Sequence, residues 1–139
     1  MCIRDRQYLE YSLKYIKKIL KKLSEDPVTS KTPTIVFARD PKCSLSEFQL
    51  DDLSCYGMFT SINPNNAISV FEGSHALQGN LDPKILLEED SVIKESVSRI
   101  LSDFKDYPGY IFNLGHGITP DINPDKVKVL VEAIRDSGS

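Results

Sequence analysis

At 139 residues the chain is long enough for one domain, or for part of a larger one. Its 17 Lys and Arg against 20 Asp and Glu leave a net charge of −3, with no basic excess to attract nucleic acid. No apolar run approaches the roughly 20 residues of a membrane-spanning helix. The cysteines Cys2, Cys43 and Cys55 show neither CxxC spacing nor a neighbouring His cluster, so no zinc site and no disulfide framework is indicated. Such usage suits a reducing compartment: the cytoplasm, or a plastid if a transit peptide has been lost.

In chain order, Met1-Cys2-Ile3-Arg4-Asp5-Arg6 comes first. It has no helical cap, no apolar period and no apolar stretch after its charges, so it is not a signal peptide. One back-translation of these codons resembles the transposon end used to tag DNA for sequencing. Residues 1–6 are therefore expected to be an adapter scar, and residues 7–139 the domain proper. Leu9, Leu13, Ile16, Leu20 and Leu23 then fall at steps of four and three, which predicts a helix over 7–24. Lys14, Lys17, Lys18, Lys21 and Lys22 make its solvated face. The unbroken apolar run TIVFA (34–38) reads as a buried strand of the parallel kind. SLSEFQLDDL (44–53) reads as a short helix. YGMFTSI (56–62) is a second strand, weakened by Gly57.

Asn63-Pro64 opens a helix to about Phe71, with Pro64 at its first position. HALQGN (75–80) is a third strand, and Asp82-Pro83 opens a short turn. Val92, Ile93, Val97, Ile100, Leu101 and Phe104 mark a helix over 91–105. YIFNL (110–114) is a fourth strand, broken by Gly115-His116-Gly117. Asn123 caps a last helix that starts at Pro124. The order α-βα-βα-βα-βα implies an α/β fold with about four parallel strands. It fits a small doubly wound sheet or one half of a (β/α)8 barrel, and pattern alone does not choose. Neither a GxGxxG nor a P-loop is present, which disfavours a nucleotide-binding sheet.

In either architecture ligands bind at the carboxyl ends of the strands. ARDPK (38–42), QGNLDP (78–83) and NLGHGITPD (113–121) fall there. His116 is the most informative residue. Its flanking glycines remove bulk and permit positive φ, so a ligand could approach closely, and an imidazole can hold a carboxylate or move a proton. A tight turn with no function is the competing reading. His75 precedes its strand, at the opposite mouth, and suits a structural role. Asp82 before Pro83 suits a cap. Asp40 suits a turn former as well as a pocket residue, and Cys55 a small buried apolar role. No catalytic triad, metal cluster or carboxylate pair is evident.

LQGNLDP (77–83) followed by IFNLGHGITPDINPDKVKVLVEAI (111–134) resembles the C-terminal half of uroporphyrinogen decarboxylase, and LKYIKKIL and TIVFARD fall at that family's spacing. The resemblance implies a (β/α)8 TIM barrel working without a cofactor or metal, homodimeric, that removes the acetate carboxyl groups of uroporphyrinogen III to give coproporphyrinogen III. It implies that His116 contacts the substrate. The family's other substrate residues lie in segments with no counterpart here, so no catalytic residue is carried over. One departure stands out: where the family usually reads GLDW, this chain has Gly57-Met58-Phe59-Thr60. A related corrinoid-dependent methyltransferase barrel, or a barrel that binds tetrapyrrole without turnover, are the alternatives.

Overall fold

The computed structural model describes residues 3–137, so Cys2 lies outside the described residues. A continuous helical stretch opens the chain: α1 (Ile3–Tyr8), a π-helical turn (Leu9–Leu13) and α2 (Lys14–Glu25). The expected stripe faces inward, with Leu13 and Leu20 buried and Leu9 and Ile16 packed against the core. The lysines stay outside. Contrary to the sequence reading, Ile3–Arg6 are helical. No cap announces that turn, because a helix already nucleated downstream extends backwards at one hydrogen bond per residue.

Four short strands follow: β1 (Ile35–Phe37), β2 (Cys55–Gly57), β3 (Ala76–Gln78) and β4 (Tyr110–Ile111). They form one parallel sheet in the order β1-β2-β3-β4. Between them run a single 3₁₀ turn (Leu45–Phe48) where a longer helix was expected, α3 (Pro64–Phe71), a 3₁₀ turn (Pro83–Leu87) and α4 (Asp90–Asp103). The last element is α5 (Pro124–Ser137). The capping signals hold. The Asn63 side chain accepts from the Asn66 amide, Asp82 from Lys84 and Asn123 from Asp125, at 2.9–3.2 Å. This alternation of parallel strands and helices is that of a partial (β/α) barrel.

The two faces of the sheet differ. The register places Val36, Tyr56, Leu77 and Tyr110 in one row. That row meets the helical layer: Tyr56 lies between Phe48 and Phe71, and Tyr110 stacks flat on Phe104 at 4.1 Å. The opposite face carries Ile35, Phe37 and Ile111, exposed by 53%, 49% and 42%. The expectation that TIVFA is buried on both faces is thus corrected. This second face is only partly covered: Cys55, in register with Ile35, is buried and the Phe59 ring lies beside Phe37, and an apolar run reads the same whether one face or two are covered. Gly57 is tolerated in β2 because the Phe37 side chain lies over it, 3.1 Å from where a Cβ would stand.

Candidate functional site at the carboxyl ends of the strands

The strands are shorter than their sequence patterns. β2 ends at Gly57, and the chain turns at once, with the Ile62 amide donating to the Phe59 carbonyl at 3.0 Å. β3 and β4 stay together beyond their ends, through the Leu81–Leu114 bridge and the Gly115 amide, which donates to the Leu81 carbonyl at 2.8 Å. The ends of β3 and β4 are therefore held side by side. On the partly covered face they form a cleft of about 360 Å³ lined by Phe37, Gln78, Asn113, Leu114, His116, Gly117 and Ile118.

His116 lies in this cleft, half-buried. Its Nδ1 donates to the Gly117 carbonyl at 2.9 Å. A carbonyl can only accept, so Nδ1 carries the proton, and the neutral ring presents Nε2 as an acceptor. Nε2 meets no hydrogen-bond partner among the described residues. When the ring is protonated, Nε2 becomes a donor suited to a carboxylate. The imidazole also lies against the Phe59 ring, at 5.7 Å between centroids, and Phe59 in turn lies 6.5 Å from Phe37.

The glycines beside His116 serve a purpose other than the expected one. Neither adopts positive φ. Gly115 is required because the Thr60 backbone presses on it: a Cβ would stand 2.6 Å from Thr60 Cα and N, and 2.3 Å from its Oγ1. Gly117 faces open space. The first glycine thus lets the β4 loop close on the β2 loop, and sequence reading missed this because Thr60 is far away in the chain.

Of the other candidates, Asp40 is a turn former: it adopts φ 46° and pairs with Lys42 instead of lining the cleft. Asp82 is a cap. Asn80 is 5% exposed, and its side-chain amide donates to the Phe59 and Ile62 carbonyls at 3.0 and 2.7 Å. His75 sits at the other end of the sheet, its Nε2 donating to the Leu50 carbonyl at 2.9 Å and its Nδ1 paired with Ser74 Oγ at 2.8 Å. Burial pushes the Cys55 thiol up, as burial and then the Glu47 and Asp5 carboxylates do for Cys43, so both are held as thiols. Among the described residues no group of three or more His, Cys, Asp or Glu side chains is placed to hold a metal ion. Two further residues belong to the site, Phe59 and Gln78; the sequence placed the segment 78–83 at a strand end but assigned Gln78 no role of its own. The signal for Phe59 was its place in the departure at 57–60.

The family model described as uroporphyrinogen decarboxylase (URO-D) matches residues 1–137. The chain belongs to the uroporphyrinogen decarboxylase family. Among similar curated proteins are the uroporphyrinogen decarboxylases of Alcanivorax borkumensis and Hahella chejuensis. The first is 39% identical over 91% of this chain and 36% of its own length, the second 36% identical over 93% and 36%. The chain thus spans a little over a third of the length of these relatives. A solved methyltransferase from Methanosarcina mazei superposes with a TM-score of 0.73 at 16% identity, over 97% of this chain and 38% of that one. At that identity the likeness concerns the fold.

Proposed function

We propose that this chain is the C-terminal part of a uroporphyrinogen decarboxylase, and that His116 contacts the tetrapyrrole. One observation carries the assignment of the residue: Nε2 of His116 is unpaired in a cleft at the carboxyl ends of parallel strands, where barrel enzymes bind their ligands. The chemistry is that of protonation and decarboxylation. Adding a proton to a pyrrole ring carbon makes a cationic electron sink. The acetate then loses CO2, its bonding electrons flow into the ring to leave an exocyclic methylene, a second proton added there completes the methyl group, and the ring carbon releases the first proton to restore the pyrrole. No cofactor is called for. The protein has to bind a polyanion, orient it and stabilise the cation. In that sequence His116 orients the substrate by hydrogen bonding, as acceptor from a pyrrole N–H or as donor to a carboxylate.

The same reading makes the whole protein a homodimer of the cytoplasm or a plastid, and residues 1–6 an adapter scar. The genomic sequence upstream of the Gln7 codon checks the latter, since the same six codons found there would refute it. The central test is an assay of uroporphyrinogen consumption. The whole protein should form coproporphyrinogen, and the chain 1–139 alone should not, because it brings one substrate contact and half a pocket. Turnover by the isolated chain would overturn the fragment reading. A second reading, a barrel that binds tetrapyrrole without turnover, has one observation in its favour: Phe59 and Thr60 stand where the family places an acid and an aromatic. Tight binding with no product would select it.

A further inference from the structure

His116 has no neighbour that fixes its ring from its own loop except the Gly117 carbonyl. Its other support, the Phe59 ring, comes from the β2–α3 connection. That connection is held both by a backbone bond of its own and by a side chain from outside it. The Phe59 carbonyl accepts from the Ile62 amide at 3.0 Å and from the Asn80 side chain at 3.0 Å, and the Ile62 carbonyl accepts from the same Asn80 nitrogen at 2.7 Å. An –NH2 group suits this spot, since each of its two protons can serve one carbonyl. Asn80 is buried, and it adjoins Leu81, which bridges to Leu114 two residues before His116. On the other side, Gly115 is pressed against Thr60, the residue after Phe59.

We propose that Asn80 is a positioning residue for His116: its amide clamps the 59–62 turn, and the turn holds the Phe59 ring against the imidazole, so that Nε2 stays aimed into the cleft. The proposal rests on the substrate role given to His116 above. Its physical core, a coupling between Asn80 and the imidazole, is measurable without substrate. The clamp also assigns Phe59 a part. In this chain the position carries an apolar ring, so His116 is braced by packing at a place where the family pattern has a charge.

In the chain 1–139, wild-type NMR should show contacts between the Phe59 and His116 rings. It should also show trans-hydrogen-bond couplings from the Asn80 side-chain nitrogen to the Phe59 and Ile62 carbonyl carbons. Absence of either overturns the proposal, even where variants fail to fold. Asn80→Asp keeps the size but points an acceptor at two acceptors. With the circular dichroism unchanged, the His116 ring signals should move, and Phe59→Leu, which keeps apolar volume, should move them as well. Ring signals unmoved in a folded Asn80→Asp chain overturn the clamp. In the whole protein Asn80→Asp should raise KM for uroporphyrinogen about tenfold with a smaller change in kcat, as expected for a misaimed binding group. An unchanged KM overturns the link to substrate. A wild-type protein that does not consume uroporphyrinogen refutes the function proposed above, and the NMR results then decide on Asn80 by themselves.

Discussion

Each end of the sheet carries a histidine, and the two are held in opposite ways. His75, before β3, has both ring nitrogens engaged, one by Leu50 and one by Ser74, and its ring meets Phe71 edge-on at 5.4 Å. Its own carbonyl accepts from the Tyr107 hydroxyl at 2.7 Å. His116, after β4, engages one nitrogen with the adjacent residue and leaves the other open to the cleft. A histidine with both nitrogens engaged joins distant segments and can do little else. One with a free nitrogen in a cleft can meet a ligand. The role follows from what the ring atoms touch, not from the residue type.

The largest expected effect tests how tightly the carboxyl end is closed. Gly115→Ala would drive a Cβ into the Thr60 backbone, and should cost about 3 kcal/mol, the upper end for overpacking. Gly117→Ala meets open space, and should change stability by less than ~0.5 kcal/mol. Urea midpoints for the two variants check the contrast, and equal midpoints would break it.

The histidines themselves give the next effects. His75→Ala removes the ring's bond to the Leu50 carbonyl, which keeps the Leu53 amide as a donor, and should lower stability by about 0.5–1.5 kcal/mol, the net worth of one hydrogen bond. His116→Asn should leave folding intact, since the side chain makes one bond to its neighbour. In the whole protein it should lower kcat/KM by less than the ~10²–10⁴-fold of a deleted general acid. Thermal unfolding and steady-state kinetics on both variants read this. A stability loss at position 116, or a kinetic loss at 75 without a stability loss, would reverse the assignment of the two ends.

The smallest effects lie between the ends. Burial pushes the phenols of Tyr56 and Tyr110 well above their ordinary 10.0, with Tyr8 and Cys43 adding to the shift at Tyr56 and Asp103 at Tyr110. Up to about pH 10 both the folded and the unfolded chain keep these protons. Above it the unfolded chain releases them and the folded one does not, so stability is lost as pH rises. Denaturation midpoints followed from pH 8 to 11 should fall beyond pH 10. The Tyr56 hydroxyl is buried with no hydrogen-bond partner among the described residues. Tyr56→Phe should therefore raise stability at neutral pH by up to ~1 kcal/mol and make the alkaline fall shallower. A loss at neutral pH would show that the hydroxyl has a partner after all.

The sequence by itself determined the succession of parallel strands and helices, the caps at Asn63, Asp82 and Asn123, and the place of His116 just beyond the last strand. These are local properties: a 3.6-residue period, a side chain reaching an amide two or three residues on, a glycine break after an apolar run. Tertiary structure decided the rest. The turn after β2 is tied through its Phe59 and Ile62 carbonyls to Asn80, 21 and 18 residues later. Gly115 is needed because Thr60 lies against it. Phe37 stands half exposed because its face of the sheet is only partly covered. Each depends on which atoms arrive from elsewhere in the chain, and a pattern of neighbouring residues carries no record of that.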